Sequence, residues 1–270
     1  MRRNPEEGAA VNSAAGFSLI EIVVALALLS LLAGAAAPFA VRQIESHRLR
    51  ATQERMKRVV AGMAGDPWTG DHGYLGDLGE LPPTLDDLNT RGSKPVYAID
   101  ANDGVGAGYN GPYVPQAGPA GVPFSDAWGT AFQYAAGAAQ LTSAGGDRTF
   151  GSGDDLVYPD AASVTTGSLT VSVTGLPNDG GVECLLGEDD ADVIVASSSS
   201  GTRSEAQLPG PIGTGGPFSG AGLHNGLHGV RVVGQGEWAG TALRDVVEIR
   251  GSTAQLRVTL IQPPGPAPGC

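Results

Sequence analysis

The sequence predicts an α+β protein, in which a long N-terminal transmembrane helix packs on a small antiparallel sheet and an all-β, sandwich-like module follows at the C-terminus. An apolar stretch runs from Phe17 to Val41 with Glu21 as its single charged residue, and apolar residues continue beyond it at helical spacing. The second half of the chain instead contains short apolar runs, several alternating with period two, separated by glycine-rich turns.

The apolar stretch is long enough to cross a bilayer. Its 25 residues, from Phe17 to Val41, would extend about 37 Å as a helix at ~1.5 Å per residue, against ~30 Å of hydrocarbon. A carboxylate is costly in lipid, so Glu21 is expected to be functional. A secretory signal peptide is cut after its apolar core, whereas here a polar leader with small residues precedes the core. This order argues against a secretory signal peptide.

The segment Gly16-Phe17-Ser18-Leu19-Ile20-Glu21 resembles the class III signal of type IV pilins and pseudopilins. The resemblance implies that a prepilin peptidase removes the leader, residues 1–16, and methylates Phe17 as the new N-terminus. Glu21 is then the fifth residue of the mature chain. The alternative is an ordinary membrane anchor.

In such filaments the N-termini lie in an apolar bundle, where the ammonium of Phe17 needs a counter-charge, and Glu21 of a neighbouring copy can supply it. The resemblance implies a single-pass protein of the bacterial inner membrane that becomes part of a periplasmic or cell-surface filament. The implied partners are further copies in a helical homo-oligomer, other pseudopilins, the inner-membrane assembly platform, the prepilin peptidase and the membrane.

The helix is predicted to continue past Pro38, which removes one backbone hydrogen bond and favours a bend. Beyond it the apolar residues recur at helical spacing with basic residues on the remaining surface, so residues 17–65 are predicted to form one membrane and stalk helix. The recurring apolar residues are Ile44, Leu49, Met56, Val59, Val60 and Met63.

Residues 66–160 are predicted to form a globular domain. The segments Asn110-Gly111-Pro112-Tyr113-Val114 and Asp126-Ala127-Trp128-Gly129-Thr130-Ala131-Phe132-Gln133-Tyr134 resemble elements of the major pseudopilin of type II secretion, with alanine at two positions where that family often has proline. The resemblance implies a small antiparallel sheet against the helix. Its candidate packing residues are Trp128, Phe132 and Tyr134.

The segment from Leu141 to Leu156 resembles the Ca²⁺ loop of that family, which makes Ca²⁺ the expected cofactor. Asp147 and Asp155 are the expected direct ligands, and Asp154 is a further candidate, with backbone carbonyls completing the six to eight oxygens that calcium prefers. Arg148 stands where the family often has glycine. A turn of Asp and Gly residues without metal is the alternative.

Residues 161–167 are predicted to link this domain to a module spanning residues 168–270. Five strand-like runs indicate a small β-sandwich: 169–173, 192–195, 229–233, 245–249 and 255–260. Residues 223–232 weakly resemble a hairpin of carboxypeptidase-regulatory or transthyretin-like modules. The module would contact a ligand or cargo, or act as a spacer.

Cys184 and Cys270 are the two cysteines of the chain, and outside the cytoplasm they are expected to pair. A bridge between them would close a loop of roughly 86 residues and contribute about 4–5 kcal/mol to stability in the chain-entropy model. Free thiols or an intermolecular bridge are the alternatives.

Charge and motifs exclude several functions. Residues 1–58 hold eight Lys or Arg against five Asp or Glu, net +3, so the total of −12 leaves −15 for the remainder. Such an acidic body repels phosphates, so no nucleic-acid partner is expected.

His224 and His228 are four residues apart, but Asn225-Gly226 between them opposes a zinc-binding helix face. No nucleophile elbow, C-x-x-C or phosphate loop is present, so no enzyme is predicted.

The sequence therefore favours a structural subunit of a type II secretion pseudopilus or a related pilus-like filament. The alternative is a surface pilin or adhesin-like binding protein whose C-terminal module recognises a ligand or partner.

Overall fold

The computed structural model describes residues 18–66, 69–115, 124–161, 163–178, 180–212 and 215–263, with residues 33 and 35–37 described by their backbone alone. The chain divides into two compact units, Met1–His47 and Arg48–Cys270. The predicted globular domain, residues 66–160, and the predicted module, residues 168–270, both belong to the second unit.

The helix α1 spans Leu19–Ala64, 46 residues, and Pro38 lies inside it. Ser18 precedes its first turn and accepts hydrogen bonds at its carbonyl from the amides of Glu21 and Ile22. The bond from Ile22 is the first regular bond of the helix, and the bond from Glu21 satisfies one of the amides that a helix N-terminus leaves without partners. At the other end, α1 stops at Gly65, whose φ of 87° suits a left-handed cap.

The body that follows is built from short elements around the buried face of α1. They are α2 (Gly73–Leu78), a 3₁₀ turn (Leu85–Leu88), an antiparallel pair formed by β1 (Ala98–Ile99) and β2 (Gly106–Ala107), and the antiparallel sheet β3 (Gln133–Ala135), β4 (Gln140–Ser143) and β5 (Leu156–Tyr158). The small antiparallel sheet is confirmed. Its core contains Met56, Val59, Met63, Tyr74, Leu78, Leu88, Tyr109, Val114, Phe124, Phe132 and Leu141.

Within the part of the C-terminal module that the structure describes, there are eight strands. They are β6 (Thr166–Leu176), β7 (Cys184–Leu185), β8 (Ala191–Ser199), β9 (Thr202–Leu208), β10 (Pro217–His224), β11 (Gly226–Gly234), β12 (Ala242–Ile249) and β13 (Thr253–Ile261). One sheet has the order β10-β6-β13, with β7 also paired to β6, and the other has the order β12-β11-β8-β9. All pairs are antiparallel except β6 with β13.

The two sheets share one apolar core, as expected for the predicted sandwich. It contains alternate residues of the central strands, such as Val171 and Val173 of β6 and Val193 and Val195 of β8. The indole of Trp238 completes it: an added Cβ at Gly175 would lie 2.3 Å from the ring. The five runs predicted as strands all lie in strands, and β7, β9 and β10 are strands that the sequence did not predict.

Body and module meet along a seam between α2 and the turn that joins β8 to β9. Ser198 Oγ donates to the carbonyl of Asp77 at 2.7 Å, and the amide of Gly201 donates to the carbonyl of Leu78 at 2.9 Å. Gly79 has a φ of 79°, and an added Cβ there would lie 2.1 Å from the Ser198 carbonyl oxygen. The backbone approach therefore requires glycine at this position.

Candidate functional site

The first half of α1 presents apolar side chains on all sides. Leu19 is 82% exposed, and the other large apolar residues of the segment are exposed as well: Ile20, Ile22, Val23, Val24, Leu26, Leu28, Leu29, Leu31, Leu32, Phe39 and Val41. A helix that is apolar all round is stable when lipid or other helices cover it. This surface is therefore the strongest candidate for a contact site in the first unit.

Glu21 lies in the first turn of α1, and its side chain is exposed. Its amide also approaches Ser18 Oγ at 3.3 Å. The helix N-terminus favours a carboxylate there through its partial positive charge. Among the described residues no cation pairs with Glu21, so its carboxylate is available to a charge on another molecule. Gly16, Phe17 and the leader lie outside the described residues.

Further along α1, Ser30 and Pro38 alter the hydrogen bonding of the helix. Ser30 Oγ donates to the carbonyl of Leu26 at 2.7 Å, which satisfies the hydroxyl within the helix. Pro38 has no amide hydrogen, so the carbonyl of Gly34, four residues earlier, lacks its usual helical donor.

A buried aspartate fastens the body to α1. Asp126 is 1% exposed, and its Oδ1 accepts hydrogen bonds from the amides of Trp128 at 3.0 Å and Thr130 at 2.8 Å. Its Oδ2 accepts a hydrogen bond from Ser143 Oγ on β4 at 2.8 Å. One carboxylate therefore holds both the turn and the sheet.

The same turn is bonded to α1 through two side chains of the helix. Arg55 Nη1 donates to the carbonyls of Asp126 at 2.8 Å and Ser125 at 3.2 Å. Thr52, which is fully buried, accepts a hydrogen bond at Oγ1 from the amide of Ala127 at 3.0 Å. These bonds couple the second half of α1 to the three-stranded sheet.

Phe132 and Tyr134 pack in the body core as predicted, and the hydroxyl of Tyr134 donates to the carbonyl of Pro82 at 2.9 Å. Trp128 is half-buried, and its indole lies beside Gly146 of the loop between β4 and β5. The three aromatic residues thus contact the sheet and its adjoining loops.

The loop predicted to bind Ca²⁺ joins β4 to β5. Asp154 Oδ2 accepts hydrogen bonds from the amides of Gly146 at 2.7 Å and Asp147 at 3.1 Å, and its Oδ1 accepts one from Ser152 Oγ at 2.5 Å. The bond from Ser152, together with those from the two amides, holds the pKa of the Asp154 carboxyl below its usual range. Asp154 therefore closes the loop on itself.

The other two aspartates bond to nearer amides. Asp147 Oδ1 accepts from the amide of Thr149 at 2.8 Å, and Asp155 Oδ2 accepts from the amide of Gly151 at 2.7 Å. Arg148 has a φ of 60°, the left-handed conformation that glycine adopts more readily. Nowhere in the described ranges are three or more His, Cys, Asp or Glu residues placed to hold a metal ion.

His224 and His228 are buried beside the seam, with ring centroids 4.6 Å apart. His228 Nε2 lies 2.8 Å from the carbonyl of His224, while its Nδ1 is buried without a partner. Burial is the main cause that lowers the pKa of His228 to about 4. Both rings are therefore packed against each other in the interior, where burial disfavours their charged forms.

Asn225, between the two histidines, carries the chain from one sheet of the sandwich to the other. Its Nδ2 donates to the carbonyl of Val164 at 2.7 Å, and its Oδ1 accepts from the amide of Gly251 at 2.6 Å. Strands β10 and β11 therefore belong to different sheets and do not form a hairpin. The predicted linker, residues 161–167, is tied to the module by this side chain.

Cys184 on β7 is disulfide-bonded. Cys270, its predicted partner, lies outside the described residues, so the pairing of Cys184 with Cys270 stays a prediction.

No helix among the described residues is both long and apolar enough to cross a membrane.

Residues 11–37 match the prokaryotic N-terminal methylation motif. This match confirms the class III signal, of the kind that type IV pilins carry, that the sequence predicts. Comparison with curated proteins finds no match. Among solved structures, the minor pilin GBS52 of the Gram-positive pathogen Streptococcus agalactiae is similar at 11% identity, over 62% of this chain and 68% of that chain, with a TM-score of 0.28. A score that low carries no argument about this chain.

Proposed function

We propose that this chain is a structural subunit of a type II secretion pseudopilus or a closely related pilus-like filament. In this proposal a prepilin peptidase cuts after Gly16 and methylates Phe17, and the subunit assembles through α1. The observation that carries the proposal is the exposed apolar surface of α1, which overlaps the methylation motif at residues 11–37 and contains one carboxylate, Glu21.

The apolar surface of α1 must be buried both before and after assembly. Burial contributes about 25 cal/mol per Å² of apolar surface, so a helix of this kind is strongly stabilised by lipid or by like helices. Before assembly, the apolar segment Phe17–Val41 would anchor the chain in the inner membrane. After assembly, neighbouring copies would replace the lipid, and the filament would extend into the periplasm or from the cell surface.

Glu21 would then give the assembly its register. A buried charge is costly without a partner, and the new N-terminal ammonium of a neighbouring copy's Phe17 is a partner of opposite sign. The assembly partners would be other copies, further pseudopilins and the inner-membrane platform. The resemblance of residues 110–134 to the major pseudopilin of type II secretion supports the pseudopilus over a pilus.

A second function is recognition of a ligand or partner by the C-terminal module, as in a surface pilin or adhesin. The seam favours it: Ser198 and Gly201 of the module bond to the backbone of α2, so the sandwich is fixed to the body. A rigidly attached module can transmit a pulling force to the filament. A spacer has no need of such a rigid attachment.

Deletion of the gene separates the two functions. A pseudopilus subunit is required for export, so we expect the deletion strain to retain secreted proteins in the periplasm, as measured by mass spectrometry of periplasm and medium. Complementation with the intact gene should restore export. Unchanged export together with weaker adhesion to surfaces would reject the pseudopilus and favour the binding function.

Calcium binding remains a proposal for the loop between β4 and β5. If Asp147 and Asp155 hold Ca²⁺ in the folded state, the ion should raise the melting temperature of a soluble fragment starting at Arg48, by mass action. Asp147→Ala and Asp155→Ala should each remove most of that increase. Asp160→Ala, at an exposed residue nearby, is the control. Equal melting temperatures in calcium and in chelator would reject the metal site and favour a hydrogen-bonded turn without metal.

A further inference from the structure

The second half of α1 carries basic side chains on its outward face. Arg50, Lys57 and Arg58, here called the basic stripe, are exposed. At 3.6 residues per turn they lie on the side of the helix opposite to Met56 and Val59, which are buried in the body core. Arg50 and Arg58 therefore point away from the body core, while Lys57 lies at the rim of a pocket that Tyr158 and Pro159 also line.

Partners within the chain account for little of this charge. Lys57 Nζ lies 3.5 Å from the carboxylate of Glu54, and both side chains are more than half exposed, at 52% and 60%. Exposed pairs of this kind contribute about 0–1 kcal/mol. Within the ranges that the structure describes, neither Arg50 nor Arg58 forms an ion pair.

The body has the opposite charge. Residues 66–160 contain thirteen Asp or Glu against three Lys or Arg, net −10. Exposed acidic residues of this segment include Glu80, Asp86, Asp147, Asp154 and Asp160. Opposite potentials on two surfaces favour their association and fix their register.

We propose that the basic stripe is a docking surface for the acidic surface of residues 66–160 on a second copy of this chain. The inference rests on the proposed filament, in which covering the apolar half of α1 brings copies side by side. Docking would then hold the stalk of one subunit against the body of its neighbour, outside the apolar bundle. The competing occupant of a basic stripe is an anionic lipid surface, and the experiment separates the two.

The chain is suited to zero-length cross-linking, because Lys57 and Lys94 are its only lysines. A carbodiimide joins a lysine amine to a carboxylate in direct contact with it. Lys94 is paired with Asp87 and is largely buried, so a carbodiimide reports chiefly on Lys57. Filaments sheared from cells would be treated, and the covalent dimer would be isolated on a denaturing gel and analysed by mass spectrometry.

We expect dimers in which Lys57 is joined to an Asp or Glu between residues 66 and 160. The double variant Arg50→Glu/Arg58→Glu should still be cleaved and inserted, but should give at least about tenfold fewer filaments and fewer dimers. Arg257→Glu makes the same change of charge at an exposed residue of the C-terminal module, outside both proposed surfaces, and should have no such effect.

Wild-type filaments that yield Lys57 joined only to Glu54 of the same chain would overturn the proposal. Loss of binding to anionic phospholipid vesicles in the double variant, with dimers unchanged, would assign the basic stripe to lipid and overturn it as well. If the wild-type protein forms no filaments at all, the proposed function fails first, and the docking proposal fails with it.

Discussion

Asp126→Ala is expected to unfold the body at temperatures where the wild type is folded. The substitution removes the acceptor for two backbone amides and the Ser143 hydroxyl, in a site where Asp126 is 1% exposed. A buried donor left without its acceptor costs about 1–3 kcal/mol, so we expect a total of roughly 3 kcal/mol or more. Urea unfolding of the soluble fragment starting at Arg48, followed by circular dichroism, measures it.

Two matched variants control for this result. Asp126→Asn keeps an oxygen acceptor for the two amides, and its new amide can donate to Ser143 Oγ. The decrease in its free energy of unfolding should therefore be markedly smaller. Asp160→Ala makes the same change as Asp126→Ala at an exposed residue and should be nearly neutral. An Asp126→Ala fragment as stable as the wild type would show that the carboxylate does not hold the turn.

Glu21→Ala is expected to abolish filament assembly while leaving the protein in the membrane. In the proposed bundle the substitution leaves the ammonium of Phe17 on a neighbouring copy buried without a partner, and breaking such a pair costs about 3–5 kcal/mol. Since 1.4 kcal/mol corresponds to a factor of ten, incorporation should fall by roughly a hundredfold or more. Immunoblots of sheared filaments and of membranes measure the two pools.

Glu21→Gln keeps the size of the side chain but not its charge, and should fail nearly as severely. Glu54→Ala removes a glutamate elsewhere on α1, where its pair with Lys57 is exposed, and should assemble normally. Normal incorporation of both Glu21 variants would mean that the carboxylate is dispensable.

The regular elements were the most predictable part of the fold. Helical spacing from Ile44 to Met63 placed the end of α1 close to Ala64, and alternating apolar residues identified β6 and β13. Strands β9 and β10 show a weaker alternation of apolar and polar residues. The first is an edge strand with few buried residues, and the second has a bulge at Gly222, whose φ is 74°.

The long-range contacts were less predictable. Nothing local to Asp126 distinguishes it from the acidic residues around it, because its burial depends on Thr52 and Arg55 some seventy residues earlier. The same limit applies to the Asp and Gly loop after β4. A turn closed by its own amides and a turn that binds calcium share one residue composition, and the direction of each carboxylate decides between them.

The mature N-terminus is the most direct test of the account, because cleavage and methylation precede assembly. Filaments sheared from cells would be digested, and their N-terminal peptide would be sequenced by mass spectrometry. We expect a peptide that begins at Phe17 and carries one added methyl group on its amine. A terminus at Met1, or a cut on the C-terminal side of the apolar stretch, would contradict the assignment of α1 as the assembly helix of a pilin-like subunit.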